Sequence, residues 1–166
     1  MNEIRGTFDV RGRRFAIAAA SFNEMVVGRL VEGALACFRA HGVSDEDLVV
    51  AWAPGAFELP LLALRLASSG LYDAVVCVGA VVRGETPHFE YVAGEAARGI
   101  EDAALRAGVP VIFGVLTANT MEQALDRAGG KHGNKGWEAA MASMQMVSVL
   151  EQLPKGEGSP PGSGDG

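Results

Sequence analysis

The stretch DAVVCVGAVVRGETPHFEYV (73–92) is apolar in its first half and mostly polar in its second. Its first half is almost entirely apolar, which is typical of a strand with both faces buried in a parallel sheet. The polar residues that follow include Thr86, a residue type that caps helices, and Pro87, which is favoured in a first helical turn. We therefore predict a strand, a turn and a helix over 88–107, with His88 in the first turn of that helix.

Three further apolar segments match this strand. They are RFAIAAA (14–20), DLVVAWA (47–53) and PVIFGVL (110–116). Apolar residues at helical spacing predict helices around these strands, over 24–40, 57–68, 88–107 and 137–152, and a capping box from Thr120 to Gln123 predicts another. Since parallel strands joined by helices cross over right-handedly, this order predicts an α/β three-layer sandwich with a four-stranded parallel, doubly wound sheet.

The two ends of the chain depart from this pattern. Ile4 and Phe8 predict an extra strand without a partner in the sheet, which could pair with another subunit. AGGKHGNKG (128–136) interrupts the helices, and KGEGSPPGSGDG (155–166) has the composition of a disordered tail. We therefore expect a single α/β domain over 1–154, followed by the tail.

The composition argues against several classes of function. The 166 residues carry a formal net charge of −6, which disfavours a nucleic acid or an anionic membrane as the main partner. No apolar run approaches the roughly 20 residues of a membrane span, and the first residues lack the apolar core of a signal peptide. Cys37 and Cys77 lie in apolar segments and no His/Cys cluster has metal-ligand spacing, so we expect a cytoplasmic protein with reduced thiols and no metal.

The carboxyl ends of the predicted strands carry most of the reactive side chains. In doubly wound sheets, ligands bind beyond these ends. Here the strands are followed by SFN (21–23), PGAFE (54–58), RGETPH (83–88) and TANT (117–120). Aromatic, carboxylate, amide, hydroxyl and imidazole groups should therefore converge at one edge of the sheet, which predicts a small-molecule site.

Each of these groups also has a purely structural interpretation. Phe22 either packs in the core or offers its ring to a planar ligand, and Asn23 either caps a helix or binds a ligand hydroxyl. Glu58 either favours a helix N-terminus or accepts hydrogen bonds from ring N–H groups. The turn at 84–86 offers backbone N–H groups to an anion, and His88 beside it is a candidate proton carrier or simply a surface residue.

Basic residues near the last helix have two interpretations as well. Arg127, Lys131 and Lys135 form either a solvated basic patch or a phosphate clamp. The turn at 84–86 lacks Walker A spacing, so it suits a phosphomonoester better than a nucleoside triphosphate. No GxGxxG follows the first strand, so we expect no dinucleotide cofactor.

Taken together, the motifs of the chain resemble those of the 6,7-dimethyl-8-ribityllumazine synthase family over residues 8–152. They are SFNEMVVGRLVEGA, PGAFELP, GAVVRGETPHFEYV, FGVLTANTMEQALDRAG and GNKGWEAA. The family has a flavodoxin-like fold and joins 5-amino-6-(D-ribitylamino)uracil to (S)-3,4-dihydroxy-2-butanone 4-phosphate, with release of phosphate and water and with no cofactor or metal. The resemblance thus implies a transferase of riboflavin biosynthesis.

The resemblance also implies roles for individual residues. His88 would be the general acid/base, and Phe22 would stack on the pyrimidinedione ring. The residues that would hold ribitylaminouracil are Phe22, Asn23, Ala56, Phe57, Glu58, Ala80, Val81, Val82 and Phe113. The residues that would bind the phosphate are Glu85, Thr86, Arg127 and Lys135. Asn119 departs from the family pattern, in which an acid is common at that position.

In this family the site lies between adjacent subunits of a pentamer. The resemblance therefore implies that Phe113 and Arg127 come from a neighbour, to whose sheet the N-terminal strand would be added. Some members stop at pentamers or decamers, whereas others form icosahedral shells of 60 subunits, and the short connector GGKHGNKG favours the shell. Two alternatives stay open: a non-catalytic shell or scaffold on this fold, and an archaeal-type riboflavin synthase, although PGAFELP and GNKGWEAA favour lumazine synthase.

Overall fold

Four parallel strands form the central sheet in the order β2-β1-β3-β4. The structure is a computed structural model that describes residues 1–156, so the predicted tail lies outside the described residues except for its first two. The strands are β1 (Phe15–Ala20), β2 (Leu48–Ala53), β3 (Ala74–Val82) and β4 (Val111–Ala118). All four predicted strands are confirmed, with ends shifted by one or two residues.

Helices cover both faces of this sheet. They are α1 (Glu24–Ala40), α2 (Leu59–Ala67), α3 (His88–Ala107), α4 (Met121–Asp126) and α5 (Lys135–Gln152). Along β1, Phe15 and Ile17 face α1 and α5, whereas Ala16 and Ala18 face α2 and α3. Because alternate strand residues fill two separate apolar layers, the predicted α/β three-layer sandwich is confirmed.

Helix α3 spans the predicted residues 88–107, but its N-cap lies one residue later than predicted. Pro87 is the N-cap and His88 is the first helical residue, so the prediction that Thr86 caps the helix is wrong. The first turn is closed by a hydrogen bond from the Glu90 N–H to the Pro87 carbonyl (3.0 Å). Proline fits this position because its φ of −70° already lies in the helical range.

The starts of two other helices were misplaced. Phe57 and Glu58 belong to a 3₁₀ turn, Ala56–Glu58, so α2 begins only at Leu59, with proline in its first turn as predicted. Helix α5 begins at Lys135 instead of 137, because the Asn134 side chain caps it by accepting from the Trp137 N–H (3.1 Å).

The Gly-rich segment between α4 and α5 forms a small hairpin that the sequence analysis did not predict. Its strands are β5 (Ala128–Gly130) and β6 (Gly133–Asn134).

At the start of α4, the Thr120 hydroxyl accepts from the Gln123 N–H (3.1 Å), as the capping box predicts. The Gln123 side chain, however, accepts from the Asn119 N–H (2.9 Å) instead of reaching Thr120.

The edge strand β2 is less buried than its sequence predicts. Leu48–Ala51 are only half-buried and Trp52 is 45% exposed, because β2 has a neighbour on one side only.

Residues 1–14 do not form a strand within the chain. They lie against α5, where Thr7 N–H donates to the Ser148 hydroxyl (2.9 Å) and the Gln152 amide donates to the Arg5 carbonyl (2.8 Å).

Candidate active site

A cavity of about 660 Å³ opens at the carboxyl ends of β1, β2 and β3. We call it the first cavity. It brings together ten of the residues that the sequence analysis selected: Phe22, Asn23, Ala56, Phe57, Glu58, Ala80, Val81, Val82, Thr86 and His88. These residues follow or end β1, β2 and β3, so the strand-end rule located the cavity at three of the four strands, whereas no residue of TANT (117–120) lines it.

Phe22 and Phe57 stand at the first cavity as exposed aromatic rings. Phe22 is 72% exposed and Phe57 is 59% exposed, so the interpretation of Phe22 as a core residue is wrong. The Phe22 N–H donates to the Pro54 carbonyl (3.0 Å), which fixes the backbone that carries this ring. Two positioned apolar rings facing solvent suit a planar ligand that would cover them.

Asn23 ties the two central strands together beneath these rings. It adopts a left-handed backbone conformation (φ 64°) at the N-cap position of α1, but its side chain makes no capping bond. Instead, the side-chain amide donates to the Ala80 carbonyl at the end of β3 (2.9 Å). One amide proton and the side-chain oxygen remain to meet a ligand.

Three residues of the first turns of α3 line the first cavity without having been predicted. They are Phe89, Tyr91 and Val92. Helical spacing from His88 was the available signal for Tyr91 and Val92, because residues three and four positions further on share its face. Phe89 directly follows His88, and this spacing did not indicate it.

Arg83 joins the end of β3 to β4 and α3. Its Nε donates to the Asn119 side-chain oxygen (3.0 Å), and its guanidinium lies 4.8 Å from the centre of the Phe89 ring. One of its nitrogens lies 3.7 Å from the Glu90 carboxylate. Asn119, where the family often has an acid, therefore still accepts a hydrogen bond, and a polar contact is retained at this position.

A second cavity of about 400 Å³ contains three of the four remaining selected residues. Phe113, Arg127 and Lys135 line it, together with Val115, Leu116, Thr117, His132 and Glu138. None of these residues lines the first cavity. Glu85, although predicted to contact phosphate, is exposed and lines neither cavity. A single chain thus divides the predicted site between two places on its surface.

Comparison with known proteins gives the same family as the sequence motifs. The model of the 6,7-dimethyl-8-ribityllumazine synthase family matches residues 12–151. A protein of Desulfatibacillum aliphaticivorans named 6,7-dimethyl-8-ribityllumazine synthase is 52% identical over 150 residues, which cover 90% of this chain and 97% of the relative. The chain belongs to this family. The matched range contains every residue that lines either cavity of this lumazine synthase family member.

The second cavity of this lumazine synthase family member is predominantly cationic. Arg127 uses one guanidinium nitrogen to donate to the Gln123 carbonyl (3.0 Å). The Lys135 ammonium lies 4.0 Å from the Glu138 carboxylate, which offsets part of its charge. The arrangement suits an anion, whereas the first cavity is mostly apolar and suits a ring.

The two cysteines do not contribute a nucleophile. Cys37 and Cys77 are free and buried, and burial raises the pKa of Cys37 to about 11 and that of Cys77 to about 12. Both therefore stay protonated at neutral pH.

Over residues 1–156, no three His, Cys, Asp or Glu side chains are grouped as a metal site. In the same range, no helix has both the length and the apolar character to cross a membrane.

Proposed function

We propose that the lumazine synthase reaction takes place where the first cavity of one chain meets the second cavity of a neighbouring chain. The chain condenses 5-amino-6-(D-ribitylamino)uracil with (S)-3,4-dihydroxy-2-butanone 4-phosphate to 6,7-dimethyl-8-ribityllumazine, and phosphate and water are released. The observation that carries the shared site is the division of the selected residues: His88 lines one cavity, and Arg127 and Lys135 line the other. A reaction that needs the residues of both cavities therefore requires two chains.

The uracil substrate occupies the first cavity in this proposal. Phe22 stacks on the pyrimidinedione ring, and Glu58 accepts hydrogen bonds from its N–H groups. The remaining contacts to the ring and the ribityl chain come from Asn23, Ala56, Phe57, Ala80, Val81 and Val82. Phe113 of the neighbour closes the ring pocket, and its 39% exposure in the isolated chain supports a role at an interface.

The phosphorylated substrate lies at the junction of the two cavities. Backbone N–H groups of Glu85 and Thr86 bind the phosphate from one chain, beside the N-terminus of α3. Arg127 binds it from the neighbour with Lys135 nearby, and a guanidinium can hold two phosphate oxygens at once. The exposure of Arg127 in the isolated chain is consistent with this role.

His88 carries protons at the same junction. The amine attacks the ketone and loses water to give a Schiff base; phosphate elimination, ring closure and a second loss of water follow. Each step moves protons, and a positioned acid/base contributes about 10²–10⁴-fold to such transfers. Holding two substrates in register contributes about 7–11 kcal/mol more.

The same arrangement requires an oligomer, which we propose is a homopentamer that assembles further into a 60-subunit icosahedral shell. The N-terminal segment then leaves its position along α5, or extends from it, to pair with β2 of a neighbour. Two features support this pairing: the half-buried edge of β2 with Trp52 45% exposed, and Ile4 at 36% exposure. The short β5–β6 connector supports the shell over smaller assemblies.

We also propose that residues 1–154 act as one domain and that the enzyme works in the cytoplasm. The single three-layer core supports the first point, because its elements extend from β1 to the end of α5. The two free, buried thiols support the second, since a reducing compartment keeps such cysteines unpaired.

The decisive experiment mixes the purified protein with both substrates and follows the absorbance of the lumazine product. Formation of product that depends on both substrates is expected. Assembly without turnover would instead indicate a scaffold, and consumption of added lumazine would indicate a riboflavin synthase. Native mass spectrometry of the same sample tests the shared site, because a mass close to the 17.3 kDa of one chain contradicts it.

A further inference from the structure

His132 lines the second cavity beside Arg127 and Lys135, although the sequence analysis gave it no role. Two backbone hydrogen bonds fold the hairpin so that these three residues line the same cavity. The His132 N–H donates to the Asp126 carbonyl (2.8 Å), and the Lys135 N–H donates to the Arg127 carbonyl (2.9 Å). The turn passes through Gly133 at a φ of 78°, a conformation that favours glycine.

The charged groups around His132 favour an anion. The charged and titratable groups that line the cavity with it are Arg127 at the end of α4 and Lys135 and Glu138 on α5. The β4 residues in the lining carry no charge. Arg127, Lys135 and Glu138 together hold one more positive than negative charge. A phosphomonoester carries a charge of about −1.5 to −2 at neutral pH, so this cavity suits it, and the imidazole ring of His132 adds an N–H hydrogen-bond donor beside the two cations.

We propose that His132 is a phosphate-binding residue that strengthens binding of the phosphorylated substrate and of the inorganic phosphate released. The proposal rests on the proposed function, in which the second cavity holds the phosphate. His132 donates a ring N–H to a phosphate oxygen from the side opposite the backbone donors of the neighbouring chain. Its role is in affinity for the phosphate group, not in the proton transfers assigned to His88.

The test compares His132→Ala, His132→Gln and His132→Lys with the wild-type protein. In His132→Ala we expect the KM for the phosphorylated substrate to rise about tenfold, the size of one lost charge-assisted hydrogen bond. The KM for the uracil substrate should change by less than about twofold, since His132 lies outside the first cavity. His132→Lys keeps a strong N–H donor at this position and should stay near the wild-type KM, and His132→Gln, whose amide is a weaker donor, should lie between the two.

Lys131→Ala is the matched control. The sequence analysis grouped Lys131 with Arg127 and Lys135, but the structure separates it from them: it is exposed and lines neither cavity. Its loss therefore removes a nearby positive charge without changing the lining. We expect both KM values to stay at the wild-type level in this variant. If Lys131→Ala raises the KM for the phosphorylated substrate as much as His132→Ala does, the effect is one of general charge and the proposal is overturned.

Calorimetric titration with inorganic phosphate separates this proposal from the proposed function. It needs no turnover, and the expected result is binding to the wild-type protein that weakens about tenfold in His132→Ala and is recovered in His132→Lys. Absence of lumazine formation by the wild-type protein would refute the proposed function. Equal phosphate affinity in the wild-type, alanine and glutamine proteins would refute the role of His132. If the alanine variant fails to assemble, the difference between the lysine and glutamine variants decides.

Discussion

His88 illustrates how a single residue gains significance from its position. As the first residue of α3, it projects from a helix start that also lines the first cavity. We expect His88→Ala to lower kcat by about 10²-fold or more while leaving detectable activity, because substrate positioning survives the loss of one proton carrier. Steady-state kinetics with both substrates measure this effect. An unchanged kcat would remove His88 from the proton transfers.

Arg127 should act on binding instead. Truncating one partner of a desolvated charge pair costs about 2–5 kcal/mol, and since Arg127 is exposed until a neighbour covers it, we expect about 2 kcal/mol. That corresponds to a rise of about 30-fold in the KM for the phosphorylated substrate. Arg39→Ala is the control, because Arg39 pairs with Asp45 (2.7 Å) and lines neither cavity. The assignment fails if both variants give the same KM.

Residues at strand ends were predictable, whereas residues in the Gly-rich connector were not. Phe22 and His88 follow strands that the apolar runs located, so their meeting in one cavity follows from parallel topology. His132 lies in a segment with no periodicity, and its place depends on hairpin hydrogen bonds that no spacing rule indicated. The capping role given to Thr86 was wrong because Pro87 already satisfied the geometry of the helix start.

At the scale of elements, the close packing of α5 against α1 explains Gly136, the second glycine of GNKGW (133–137). A Cβ on Gly136 would collide with the backbone carbonyl of Leu30 in α1, and backbone cannot give way as a side chain can. We therefore expect Gly136→Ala to lower the free energy of unfolding by about 1–3 kcal/mol, the usual cost of overpacking. Chemical denaturation measures it.

A second helical glycine provides the matched control. Gly28 in α1 has no atom within 4 Å of an added Cβ, so Gly28→Ala should leave stability unchanged or raise it by about 0.4–1 kcal/mol. Equal stability of the two alanine variants would show that the contact between α1 and α5 is looser than the structure indicates.

Burial of whole elements was harder to predict than their existence. The apolar run at 47–53 indicated a strand, and β2 formed there, but its residues are half-buried because it lies at the sheet edge. The order of strands depends on which side each crossover takes, and a local pattern does not contain that information. The same limit applies to residues 1–14, whose apolar side chains indicated a strand that the isolated chain does not form.

At the scale of the whole molecule, the two cavities make each chain contribute to two different sites. The first cavity carries the proposed ring-binding and proton-transfer groups, and the second carries the proposed phosphate-binding groups. If each chain uses its first cavity against one neighbour and its second against another, the contact is heterologous and repeats around a closed ring. A mixture of two kinds of variant chain can therefore test whether the site is shared between chains.

Chains that carry His88→Ala and chains that carry Arg127→Ala should restore one another when mixed. After equal amounts are unfolded together and reassembled, each half-site is intact in half of the chains, so about a quarter of the interfaces combine two intact halves. With the phosphorylated substrate held well below its wild-type KM, so that the binding defect of Arg127→Ala lowers the rate, we expect lumazine formation near a quarter of the wild-type rate, well above either variant alone. Wild-type chains mixed equally with the double variant should also give about a quarter, whereas a site within one chain would give about half. If the mixture of the two single variants is no more active than either variant alone, and the mixture of wild type and double variant keeps about half of the wild-type rate, the complete site lies within one chain.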